Sequence, residues 1–193
     1  MQWSLEALAA VTDGIVIVLP AGDVATWTGG EHQAVAGGAT RSASVRAGLA
    51  SIPNDAEIVL VHDAARPFAS AALGKAVIKA IEDGADAAIP GIPVSDTIKR
   101  VDTTTLRVKE TVDRANLYAV QTPQGFRAST LRKAHAEEAD ASDDAAVVER
   151  IGGMVVIVPG ESKNMKITVA DDLAIAHVLI EARAARATHQ DGE

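Results

Sequence analysis

Ile58-Val59-Leu60-Val61-His62-Asp63-Ala64-Ala65-Arg66-Pro67 is the stretch on which the fold turns. Its four leading apolar residues read as a strand buried on both faces, and where they stop an acid and a guanidinium stand three residues apart. Pro67 pushes Arg66 out of the helical region. Asp63 and Arg66 therefore fall on a loop above the carboxyl end of the strand, where open α/β sheets bind their ligands. There Arg66 can fork onto a phosphate, and Asp63 can accept from a hydroxyl or face a metal. On residue type alone, a structural ion pair is the more ordinary reading.

The flanking segments set the class. Upstream, Ile15-Val16-Ile17-Val18-Leu19, closed by Pro20, is a second buried strand. Downstream, Ala87-Ala88-Ile89-Pro90 and residues 154–158 repeat the pattern. Between them, residues 4–11, 45–52, 69–82, 128–138, 143–151 and 170–183 carry apolar side chains at helical spacing. Ser142 is placed to cap the helix at 143. This alternation predicts an α/β domain with a parallel sheet and helices on both faces. A single domain is expected over residues 1–193, with the polar tail from 187 disordered.

Two stretches break the rhythm. Gly37-Gly38-Ala39-Thr40-Arg41-Ser42-Ala43-Ser44 is a glycine-rich lead into a helix, suited to close approach of a ligand to backbone amides, or to a plain capped turn. Residues 94–120 contain Thr97-Ile98-Lys99-Arg100-Val101 and Leu106-Arg107-Val108-Lys109-Glu110-Thr111-Val112, two alternating runs around Asp102-Thr103-Thr104-Thr105. They predict a two-stranded arm. An isolated hairpin is marginal in water, so a homodimer is expected with the arm in its interface. Gln121-Thr122-Pro123-Gln124-Gly125-Phe126 is read as a polar loop.

Bulk properties exclude several functions. The net charge of -8 disfavours nucleic acid and anionic membranes, whose affinity comes from basic patches. With no cysteine there is no thiolate nucleophile and no cysteine-ligated metal. No apolar run approaches membrane-spanning length, and a cytoplasmic protein is expected. The histidines at 32, 62, 135, 177 and 189 show no metal-ligand spacing, and neither GxSxG nor HExxH occurs. What remains is a polar set at strand ends: Gly38, Ser44, Asp63, Arg66, Thr97, Arg114, Thr122, Ser142 and Lys166. Cations and hydroxyls around a glycine-rich loop suit phosphate chemistry on small molecules.

Gly37-Gly38 through Arg41 and Ser44, the Asp63 stretch, Asp96-Thr97-Ile98-Lys99-Arg100, Thr111-Val112-Asp113-Arg114, Gln121-Thr122-Pro123-Gln124, Ser142-Asp143-Asp144 and Lys166-Ile167-Thr168 follow one another in a familiar order and spacing. They resemble the 2-C-methyl-D-erythritol 4-phosphate cytidylyltransferase family over nearly the whole chain. The resemblance implies a Rossmann-like nucleotidyltransferase sheet with an extended β-arm swapped across a homodimer. It further implies a reaction of CTP with methylerythritol phosphate in the non-mevalonate isoprenoid pathway, with magnesium. Arg114 and Lys166 match the catalytic cations that hold the substrate phosphate. Asp63, Ala64, Arg66, Thr97, Thr122 and Ser142 match substrate positions; Gly37, Gly38, Ser44, Asp63 and Ala64 match nucleotide positions. The group that holds the metal is left open.

Two departures from the family pattern stand out. Ala39 replaces a frequent acid. The strand, glycine-rich loop and Pro-Lys pair that open the family's sequences, and wrap the triphosphate, precede nothing here: Met1 falls within the following helix. The expectation is a truncated and catalytically weakened member whose sheet lacks a central strand, leaving neighbours without ladder partners. A cytidylyltransferase for another polyol phosphate, such as ribitol 5-phosphate, and a non-catalytic dimerising or regulatory relative are the alternatives.

Overall fold

The structure is a computed structural model that describes residues 1–30, 32–136, 141 and 143–190, with side chains described as far as 182. In chain order the elements are α1 (Gln2–Ala9), β1 (Val16–Leu19), β2 (Gln33–Ala36), α2 (Arg41–Leu49), β3 (Ile58–Val61), α3 (Ala71–Glu82), β4 (Ala87–Pro93), β5 (Ile98–Val101), β6 (Val108–Val112), β7 (Tyr118–Val120), β8 (Gln124–Arg127), α4 (Ala128–His135), α5 (Asp144–Arg150), β9 (Val155–Pro159) and α6 (Ala170–Gln190).

Alternation along the central strands shows why both faces are covered. Val59 and Val61 of β3, with Ala87 and Ile89 of β4, pack with α2, α4 and α5 around Phe126 and Leu131. Ile58, Leu60 and Ala88 point the other way, against Val77 and Ile81 of α3 and Val156 and Val158 of β9. Successive residues of a strand face opposite sides. A strand apolar at every position therefore needs helices on both, and the expected sandwich is present.

Its sheet is mixed, which corrects the expectation of a parallel one. β4 pairs β9 in parallel, but β8 lies antiparallel between β3 and β4, and β7 is antiparallel to β4. Gln124-Gly125-Phe126-Arg127 was expected in a loop, because only Phe126 carries a large apolar side chain. The tertiary structure admits the others individually. Gln124 is buried and donates to Asp143 at 3.1 Å. At Gly125 a Cβ would stand 2.4 Å from Val77 Cγ1, so α3 seats directly on its backbone.

Among the described residues β1 pairs only β2, in a separate two-stranded parallel sheet, and β3 pairs only β8. No strand among the described residues joins these two sheets. The arm is the expected ribbon: β5 pairs β6 antiparallel apart from the main sheet. At its tip Asp102 Oδ1 accepts from the Thr104 and Thr105 amides, and Leu106 takes a φ of 55°.

Two smaller expectations change. The cap of α5 is Asp143, which accepts from the Ala146 amide; Ser142 lies outside the described residues. α6 continues to Gln190, through part of the tail expected to be disordered, while 191–193 also lie outside the described residues.

Candidate active site

Beyond Val61 the chain makes the turn that the Asp63-to-Pro67 stretch dictates, with the Arg66 amide donating to the Asp63 carbonyl at 2.9 Å. The turn raises Asp63 over the end of β3, and Ala64 occupies its corner. Lys166 Nζ donates to Asp63 Oδ2 at 2.9 Å, and Arg41 Nη2 stands 3.5 Å from Oδ1. Burial by itself raises the Asp63 carboxyl, but the Lys166 hydrogen bond and the charges of Arg41, Lys166 and Arg66 outweigh it and hold the group below the usual carboxylate range. Arg41 continues inward to Asp144 Oδ2 at 2.7 Å, and buried Asp144 accepts from His135 Nε2 at 3.0 Å. Five ionisable side chains thus run in line from the half-exposed Lys166 to the buried His135.

Beneath Asp63 lies a floor built by Thr122 and His62. The Asp63 amide donates to Thr122 Oγ1 at 3.0 Å; the same oxygen lies 3.0 Å from His62 Nδ1, and His62 Nε2 lies 3.1 Å from the Arg66 carbonyl. A carbonyl only accepts, so Nε2 carries the proton. Thr122 has already accepted from Asp63 and gives its hydroxyl proton to Nδ1. The network is closed with a neutral imidazole. Burial, joined by the Arg66 charge, pushes the His62 pKa down in agreement. His62 therefore orients both Thr122 and the Asp63 turn.

Arg66 is committed to the backbone. Its Nη1 donates to the Asn164 carbonyl at 2.8 Å and its Nη2 to the Val120 carbonyl at 3.1 Å. It ties β7 and the loop after β9 to the Asp63 turn. Fully buried Asn164 extends that tie by donating to the Thr122 carbonyl at 2.8 Å, and the Ile167 amide donates to the Ala65 carbonyl at 2.8 Å. Lys166 is positioned by these bonds on either side of it.

The glycine-rich lead has a different local cause. Thr40 caps α2 by accepting from the Ala43 amide. Ser44 Oγ accepts from the Gly38 amide at 3.2 Å, which folds the loop back on the helix. A Cβ at Gly38 would lie 2.4 Å from that of Ala43 and 3.1 Å from its carbonyl carbon, so this position needs glycine, while one at Gly37 would lie 2.8 Å from Ser44 Oγ and displace that hydroxyl. Arg41, in the first turn of α2, carries this loop to Asp63.

The remaining candidates lie elsewhere. Thr97 is exposed where the arm begins, and Arg114 follows β6 with its guanidinium on the Ser95 carbonyl. Among the described residues Arg114 joins none of the ion pairs around Asp63. The structure brings the candidates Asp63, Thr122 and Lys166 together, and adds Arg41, Asp144, His135 and Asn164, which sequence reasoning passed over. Arg41 and Asp144 stood within matched segments, yet their pairing spans 103 residues and has no local signal. Among the described residues no group of three or more His, Asp or Glu is arranged to hold a metal ion.

This geometry can be set beside known proteins. A family model described as 2-C-methyl-D-erythritol 4-phosphate cytidylyltransferase matches residues 1–182. The chain belongs to that family. It is 51% identical over 150 residues, 76% of its length, to 2-C-methyl-D-erythritol 4-phosphate cytidylyltransferase of Saccharopolyspora erythraea, and spans 66% of that protein. It is 45% identical over 206 aligned positions, 99% of its length, to the bifunctional enzyme IspD/IspF of Anaeromyxobacter dehalogenans, and spans 52% of that protein. The crystal structure of 2-C-methyl-D-erythritol 4-phosphate cytidylyltransferase from Thermus thermophilus superposes with a TM-score of 0.84 at 37% identity, covering 93% of this chain and 88% of that one. The Rossmann-like nucleotidyltransferase fold expected from the sequence is therefore the observed fold.

Proposed function

We propose that this protein serves cytidylyl transfer: CTP and 2-C-methyl-D-erythritol 4-phosphate give 4-diphosphocytidyl-2-C-methyl-D-erythritol and pyrophosphate, in isoprenoid precursor synthesis. The observation that carries this reading is Lys166, a half-exposed ammonium hydrogen-bonded to Asp63 at the end of β3 and backed by Arg41. A phosphate monoester is largely dianionic near neutrality, with a second pKa of about 6, so its oxygen attacks the α-phosphorus of CTP without a general base. The new O–P bond forms as the bond from the α-phosphorus to the bridging oxygen breaks, and that electron pair leaves on pyrophosphate. The protein's work is to hold two anions in line. Lys166 suits this role, because a dianion competes well with Asp63 for its ammonium. Arg114 is the second phosphate-holding cation on this reading.

Thr122 and Arg66 then act by fixing the Asp63 turn, and Thr97 and Ser142 complete the substrate side. Gly37, Gly38 and Ser44 shape the loop for the cytosine, with Asp63 and Ala64 near the ribose. Magnesium fits as a cation brought on the nucleotide phosphates. Among the described residues, the carboxylate that Lys166 and Arg41 share is that of Asp63, and its engagement by two cations is a poor basis for a resident metal. When bound, magnesium supplies charge neutralisation to the departing pyrophosphate. A homodimer through the arm and a cytoplasmic location belong to the same proposal. Among the described residues no helix is long and apolar enough to cross a membrane.

Pyrophosphate release from CTP and magnesium tests the assignment, with either methylerythritol phosphate or ribitol 5-phosphate as acceptor. The expected result favours methylerythritol phosphate by at least about tenfold, or roughly 1.4 kcal/mol. Faster release with ribitol 5-phosphate would replace the substrate. Saturable binding of methylerythritol phosphate with no release from either acceptor would support the non-catalytic alternative.

A further inference from the structure

We propose that Arg41 is a positioning residue for the acceptor phosphate: it stands by as the second counter-ion of Asp63, so that Lys166 can leave Asp63 for that phosphate. The inference rests on the reading of Lys166 as the cation that receives the phosphate, and adds to it how the cation is set free.

The two oxygens of Asp63 are served separately. Lys166 Nζ donates to Oδ2 at 2.9 Å, whereas Arg41 Nη2 stands 3.5 Å from Oδ1. Departure of Lys166 therefore leaves Arg41 in place. The Arg41 distance is long for a hydrogen bond and has room to shorten. Arg66, the third cation acting on Asp63, has both terminal nitrogens committed to the Asn164 and Val120 carbonyls and is not free to take over.

The need for a reserve follows from where Asp63 sits. Its side chain is 20% exposed, and burial by itself raises its pKa. A carboxylate so placed, with Lys166 as sole counter-ion, would hold that ammonium against an incoming phosphate, because releasing it would leave a desolvated charge unpaired. Arg41 removes that penalty, and the phosphate dianion then outcompetes the carboxylate for Lys166.

Arg41 is kept at its post from behind. Its Nη1 donates to Asp144 Oδ2 at 2.7 Å, and Asp144, whose side chain is 1% exposed, accepts from His135 Nε2 at 3.0 Å. A purely structural pair would be complete with Asp144. The planar guanidinium, once fixed by that bond, presents its second nitrogen to Asp63.

Calorimetric titration with methylerythritol phosphate tests the proposal. Arg41→Gln is expected to weaken binding at least about tenfold in the parent, but less than about twofold in the Asp63→Asn background, where Lys166 has no carboxylate to leave. Should the unpaired Asp144 disturb folding, Arg41→Gln/Asp144→Asn gives the same comparison with a neutral pair. In Lys166→Ala, the carboxyl-carbon resonance of Asp63 should titrate at higher pH once Arg41→Gln is added. Equal weakening with and without the Asp63 carboxylate, or an Asp63 titration that Arg41→Gln leaves unmoved, overturns the proposal. Absence of binding by the parent instead removes the proposed acceptor, and this inference with it.

Discussion

Lys166 and Arg41 converge on one carboxylate, and this concentration of charge is where single substitutions act most sharply. Lys166→Ala removes the cation proposed to hold the attacking phosphate and is expected to lower pyrophosphate release by about 10²–10³-fold. It should also let the Asp63 carboxyl rise toward its ordinary pKa, which carboxyl-carbon NMR can follow. His62 sets a second expectation. Its native pKa is lowered below 6.5, so the unfolded chain binds more protons there, and stability rises with pH. That contribution is whole above about 6.5 and is lost as pH falls from there toward the native value. Asp63, also lowered, contributes above 3.8 and loses its share as pH falls through its native pKa. Urea midpoints between pH 7 and pH 5 should fall in the parent protein. In His62→Gln, which can still donate to the Arg66 carbonyl, that slope should flatten; an unchanged slope would remove His62 from the account.

At the scale of elements, β8 is the instructive case. A sequence rule that scores apolar alternation passes over Gln124-Gly125-Phe126-Arg127, because the strand is stabilised by partners distant in the chain. Gln124 finds Asp143, and Arg127 donates to the carbonyls of Ile81 and Ala85. Gly125 admits α3. Gly125→Ala is therefore expected to destabilise the fold by about 1–3 kcal/mol, by forcing Val77 away from the sheet, and a lowered denaturation midpoint would show it. The α3 cap follows a rule that is local. Ser70 accepts from the Leu73 amide, and Ser70→Ala should cost about 1 kcal/mol in the same measurement.

Across the whole molecule, the arm is one part that the single chain leaves unsatisfied. Val101, Leu106 and Val108 are exposed on it, and Tyr118 and Val120 on β7 near its base. Apolar surface of this kind is a recognised mark of association. Sedimentation of the protein is expected to report a dimer, and Val108→Lys to shift it toward monomer. A monomeric parent at micromolar concentration would defeat the proposal of an arm-mediated interface and leave Arg114 without a route to the phosphate.

What the sequence determined by itself is what depends on near neighbours. The run of residues 58–61 specified a strand packed, though only partly buried, on both faces, Pro67 kept Arg66 in a turn, and the alternation around residues 102–105 specified the arm. The order of the polar segments was enough to indicate the family, and so to place Asp63, Thr122 and Lys166 together. The mixed direction of the sheet, the insertion of β8 and the line of charges from Lys166 to His135 were decided only by the tertiary structure. Each joins groups far apart in the chain, as Arg41 and Asp144 are. Their energies come from desolvation and geometry at contact, which no local pattern of residues encodes.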